Sequence, residues 1–163
     1  MSEGGSEVGK EITSMQVQPP SSPPSAPSET WESDRGRLVI TQPVFGVIVF
    51  TYFGHATVPM VTFIEQSVDL VLAKGSKPDL FIDLDAIDGY DSAYRRAISE
   101  WGARNYRRFG EVRVLVRSRI VAMGIAVSNL TAANKLQPTT KRQEFQAAID
   151  AAIARHSVRP LPP

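Results

Sequence analysis

The feature that most constrains this chain is the run Leu80-Phe81-Ile82-Asp83-Leu84, with Asp88-Gly89 and then Asp91-Ser92 behind it. An apolar run broken only by Asp83 has the character of a central strand covered on both faces. Asp88-Gly89 reads as a turn. Asp91 and Ser92 are both residue types that start helices, and apolar positions at helical spacing follow at Tyr94, Ala97, Ile98 and Trp101. A carboxylate and a hydroxyl therefore stand where a helix begins, just beyond a strand end. In open α/β folds that edge is where function gathers.

The flanking chain extends the pattern. Leu38-Val39-Ile40 and Val44 to Tyr52 read as strands joined by a turn at Gln42-Pro43, close enough to pair as an antiparallel hairpin. Thr57 and Pro59 start a helix whose apolar positions are Met60, Val61, Ile64, Val68, Val71 and Leu72, and Lys74-Gly75 ends it. After the central helix, which closes near Arg108, Val112 to Arg117 is another strand. Ser118 caps a further helix, Lys135-Leu136-Gln137 reads as a short edge strand, and Thr139 to Arg155 as a last helix. Strands alternating with helices predict parallel crossover connections. The expected fold is α/β, a small mixed sheet of about four or five strands with about four helices. It occupies residues 35–158, between a Ser/Pro-rich tail over 1–34, too poor in apolar mass to order itself, and a flexible end over 159–163.

Composition excludes more than it selects. The 18 Lys and Arg residues nearly balance 17 Asp and Glu, so net charge points to no partner. The absence of cysteine removes disulfides, thiolate metal sites and cysteine nucleophiles, and fits a reducing compartment. No apolar run is long enough to span a membrane, and the first thirty residues lack the apolar core of a secretory signal, so a cytoplasmic location is expected. Arginines crowd residues 95–119 against only Glu100 and Glu111, but few stacking aromatics lie among them. The stretch reads as a solvated helix face or an Arg-rich protein interface, not as a nucleic-acid surface.

With these residues in place, Phe81-Ile82-Asp83-Leu84, Ile87 and then Asp91-Ser92 at a helix start resemble the centre of STAS domains, the domain shared by sulphate transporters and anti-sigma-factor antagonists. The order of elements from Arg37 to about Arg155 is similar as well. The helix continues Ala93-Tyr94-Arg95-Arg96 where that family has Ser or Thr and then Gly, the mark of a divergent member. The resemblance implies a non-enzymatic regulatory module that needs no cofactor. It works through a protein partner (a kinase, an anti-sigma-like factor or a scaffold), and a homodimer is compatible with it. It implies Ser92 as the phosphorylated switch, with Asp91, Tyr94, Arg95 and Arg96 at the interface. A phosphate there would meet free helix N–H groups and the positive end of the dipole. A plain helix cap at Asp91-Ser92 explains the same residues.

Two other readings stand beside it. A carrier of a small ligand or lipid would place Met60, Phe63 and Ile64 of the first helix along a pocket. Asp83-x-Asp85 after an apolar strand resembles the first motif of haloacid-dehalogenase-like phosphatases, with Ser118 as a second-motif residue. Ile87 then replaces the usual Thr or Val, and no downstream acidic pair follows. Asp83, Asp85 and Asp88, expected as loop carboxylates, do not fit a calcium loop, because position twelve from Asp83 is Tyr94. No metal site is expected. His55, expected in a loop, reads as polar surface.

Overall fold

The computed structural model describes residues 26–117 and 136–158. Most of the expected tail, the helix capped by Ser118 and the last five residues lie outside the described residues. Six strands form one sheet in sequence order: β1 (Ser28–Glu32), β2 (Gly36–Val44), β3 (Val47–Ala56), β4 (Asp79–Tyr90), β5 (Val112–Leu115) and β6 (Leu136–Thr139). The first three pair antiparallel, and β3 to β6 pair parallel. The helices are α1 (Val58–Leu72), α2 (Ser92–Asn105), continued by a short 3-10 turn over Tyr106–Arg108, and α3 (Arg142–Ser157).

The strands are apolar on both faces because both faces are covered. Ile48 and Phe50 of β3, Leu80 of β4 and Val112 of β5 pack with Met60, Ile64 and Val68 of α1 and Tyr94 and Trp101 of α2. The alternate residues, Val47, Phe81 and Leu115, meet Phe145, Ala148, Ile149 and Ala152 of α3 on the other face. This period-2 division explains why Leu80 to Leu84 reads as an apolar run broken only by Asp83. Trp101 is 1% exposed and packs against Phe50, Tyr106 and Phe109, with ring centroids 6.4, 6.3 and 6.0 Å away.

Several local expectations are corrected. Asp88-Gly89 is no turn: β4 runs on to Tyr90, because β3 extends to Ala56 and keeps offering it a ladder, with register shifts absorbing the irregularity. The hairpin turn is Phe45-Gly46, with Gly46 at φ +93°, while Pro43 sits inside β2 at a bulge between Thr41 and Val44. Ser28–Glu32, expected within the tail, is the edge strand β1. It pairs with β2 along its whole length, lays Trp31 against the core and receives a hydrogen bond on Glu29 from the Ser67 hydroxyl of α1. The sheet thus has six strands where four or five were expected. The surplus is β1, whose sequence SETWE has no apolar alternation of its own and depends on its neighbour for pairing.

Candidate functional site

The C-terminal ends of β3 and β4 and the start of α2 meet beside the Ser33–Gly36 turn. The backbone N–H of Asp91 donates to the Ala56 carbonyl at 3.1 Å, and the N–H of His55 to the Arg35 carbonyl at 3.0 Å, which locks the segments together. Asp91 occupies the N-cap position with extended backbone angles, φ −75° and ψ 147°, as its residue type predicts. Its carboxylate does not cap the helix. It is taken by Arg35 in a two-pronged contact, Nη2–Oδ1 3.0 Å and Nη1–Oδ2 3.2 Å, and by His55 Nε2 at 2.9 Å from Oδ1. The Arg35 hydrogen bond, with that of His55 second, holds the Asp91 carboxyl below its ordinary value. His55 Nδ1 lies 3.8 Å from Asp88 Oδ1. His55, expected as loop surface, is a β3 residue between two carboxylates. The Gly89 backbone lies so close to its ring that a Cβ there would sit 3.0 Å from Nδ1. Nothing in the local sequence ties residue 55 to 91 or 35, so this cluster was not legible beforehand.

Ser92 is the first residue of α2 and is exposed, and its hydroxyl makes no hydrogen bond among the described residues. Arg95 and Arg96, one turn on, are exposed too. Two large apolar side chains are open to solvent at neighbouring element ends: Tyr90, two residues before Ser92, at 53% and Val58, the first residue of α1, at 40%. Tyr94 is corrected as an interface residue. It is 6% exposed, and its hydroxyl is 3.0 Å from that of Tyr52 within the core. Burial raises both phenols, that of Tyr94 to about 12.

The three carboxylates expected in a loop all belong to β4 and do not come together. Asp83 and Asp85 face α3, where Arg142 in its first turn grips Asp83 at 3.0 and 3.2 Å and reaches Asp85 at 3.2 Å. Arg117 adds a 3.9 Å contact to Asp85. Asp88 lies at the other site, near His55. A carboxylate held on both oxygens by one guanidinium is a poor nucleophile and leaves no approach for a phosphoryl group, which argues against the phosphatase reading of Asp83. These residues are fasteners for the N-terminal end of α3. A matching set holds its C-terminal end. Asp79, at the start of β4, accepts from the Glu111 N–H at 2.8 Å and pairs with Arg155 and His156 at 3.0 Å each. Burial would raise the Asp79 carboxyl, but the hydrogen bonds from the Glu111 N–H, Arg155 and His156 outweigh that and hold it below its ordinary value. Sequence reasoning missed this cluster, whose members are separated by long stretches of chain.

A cavity of about 670 Å³ lies between α2 and the sheet, lined by residues from β3 to β6 and by Tyr94, Arg95, Ile98 and Trp101 of α2. The pocket residues expected on the first helix are not in its wall: Met60 and Ile64 are fully buried in the core, and Phe63 is half-buried against it.

Neither a model of a known protein family nor a curated protein sequence matches the chain. Solved structures do resemble it. An uncharacterized protein of the DUF3478 family from Shewanella loihica PV-4, described as having a SpoIIAA-like fold, aligns over 73% of this chain and 98% of its own at 15% identity, with a TM-score of 0.58. An anti-sigma factor antagonist from Mycobacterium paratuberculosis aligns over 79% and 97% at 20% identity (TM-score 0.45). The anti-sigma factor antagonist SpoIIAA, in its unphosphorylated form, aligns over 68% and 95% at 13% identity (TM-score 0.49). Sheet order, helix placement and the first of these likenesses agree: the described residues adopt a SpoIIAA-like fold.

Proposed function

We propose that this chain is a non-enzymatic regulatory module that binds a protein partner at the start of α2, with the Ser92 hydroxyl as its switch. The observation that carries this reading is the exposure of Ser92 on the first turn of α2, two residues after the exposed Tyr90, with Val58 exposed at the start of α1. A protein interface needs an apolar centre and a polar rim, and these residues supply both. Asp91 is paired with Arg35 and hydrogen-bonded to His55, so a phosphate on Ser92 would not confront an unpaired carboxylate beside it. Arg95 and Arg96, three and four residues on, are within reach of that phosphate. The roughly −2 charge it adds would fall on a surface that a partner must desolvate. The partner class is a cytoplasmic kinase, anti-sigma-like factor or scaffold.

The test uses the wild type, Ser92→Ala and Ser92→Asp as baits for cytosolic proteins, followed by titration of the recovered partner. The Ala variant should keep the wild-type affinity and the Asp variant should lose about tenfold or more, the fold-change that corresponds to 1.4 kcal/mol. Equal affinity for all three proteins would remove the switch and leave Ser92 as an ordinary helix-start residue.

A further inference from the structure

The cavity behind α2 shares Tyr90 and Arg95 at its mouth with the proposed partner surface, but its interior has the makings of a separate ligand site. Its body is apolar, formed by Phe50 of β3, Ile82, Leu84 and Ile87 of β4, and Ile98 of α2. Its volume of about 670 Å³ falls within the range of small-molecule sites. The exposed members of its wall, Tyr90, Arg95 and Ser99, mark the mouth. Three polar features interrupt the apolar lining. The Tyr94 hydroxyl donates to that of Tyr52 at 3.0 Å. Trp101 stands in the wall almost fully buried, and its indole N–H has no acceptor, a rare condition for a buried donor in a folded protein. The Arg95 guanidinium at the mouth has no carboxylate partner among the described residues, whereas Arg35, Arg104, Arg113, Arg142 and Arg155 each have one. The nearby Asp91 is already committed to Arg35 and His55. Among the described residues, the Arg95 charge at the mouth therefore stands without a carboxylate over an apolar interior.

We propose that the cavity between α2 and strands β3 to β6 binds a small amphipathic anion, its apolar body against Phe50, Ile82, Leu84, Ile87 and Ile98 and its carboxylate on Arg95. The apolar body removes wall surface from water, and that burial supplies most of the binding. The carboxylate selects the sign of the head group, because a cationic head at Arg95 would meet like charge. This assignment shares Arg95 and Tyr90 with the partner surface, but Ser92 is not part of the wall, so the Ser92 variants and the Ile98→Trp variant test the two readings separately.

The probe is dodecanoate, titrated below its micellar concentration into the full chain, with dodecyltrimethylammonium as the competitor of opposite charge. Calorimetry and the indole N–H resonance of Trp101 are the readouts. Dodecanoate should bind saturably at one site and shift that resonance, and the ammonium amphiphile should bind at least tenfold more weakly. Arg95→Gln, an exposed substitution that leaves the core intact, should weaken dodecanoate binding about tenfold. Ile98→Trp, which fills a half-buried position of the wall, should abolish it. Any one of four results overturns the proposal: no saturable shift of the Trp101 signal, equal affinity for the two amphiphiles, an unchanged affinity in Arg95→Gln, or undiminished binding in a folded Ile98→Trp protein.

Discussion

Removing the Asp79 carboxylate should loosen α3 from the sheet, by an amount that the geometry sets. The side chain is 9% exposed and accepts three hydrogen bonds, from the Glu111 N–H at 2.8 Å and from His156 and Arg155 at 3.0 Å. Orphaning the Glu111 N–H costs about 1 kcal/mol. The bond to the largely buried His156 is worth about 1–2 kcal/mol. Arg155 is half-exposed, and water screens its share to at most about 1 kcal/mol. Asp79→Ala should therefore cost about 2–4 kcal/mol. Asp79→Asn keeps an oxygen for the Glu111 N–H and should cost about 1 kcal/mol less than Ala. The pH dependence has a definite sign. A carboxyl held below its ordinary value in the fold contributes stability that is fully present above the unfolded value of about 4 and is lost as pH falls through the lower folded value. Urea unfolding of the three proteins at pH 7, 5 and 3 should show the gap between wild type and Asn constant from 7 to 5 and narrower at 3. A cost for Asp79→Ala below about 1 kcal/mol, or a gap that widens in acid, would refute the view that this carboxylate anchors α3.

Two further substitutions probe the core and the hairpin. Trp101→Ala removes a fully buried side chain in contact with Phe50, Tyr106 and Phe109 and should cost about 3–5 kcal/mol in urea unfolding; a cost under about 1 kcal/mol would place the indole at the surface instead. Gly46→Ala demands φ +93° of a residue with a Cβ and drives that Cβ into the His156 ring, which must move from its place beside Asp79. A loss of about 1–3 kcal/mol by thermal unfolding is expected, and unchanged stability would mean that the turn and α3 are not coupled.

The class of fold was legible because it depends on local pattern. The apolar run at Leu80 to Leu84, broken only by Asp83, the helical spacing of Met60 to Leu72, and Gly75 past the end of that helix, at φ +73°, are each set by a residue and its near neighbours. So was the position of Asp91-Ser92 at a helix start. What those side chains do there was decided elsewhere. An Asp at an N-cap has two ways to be satisfied, by the helix N–H groups or by a charge brought from a distance. The two-pronged contact with Arg35, across fifty-six residues of chain, and the His55 contact took the second way. Likewise Asp88-Gly89 carries a turn signal, but β3 extends far enough to hold it as a strand. Asp83 and Asp85 read as free carboxylates until α3 closes over them with Arg142. Ser28–Glu32 becomes a strand only because β2 presents an edge to pair with. Periodicity and backbone preference act within a few residues and can be read along the chain. Ion pairs, ladder partners and the cavity behind α2 need groups distant in sequence to arrive at one place, and only the packed fold settles which ones meet.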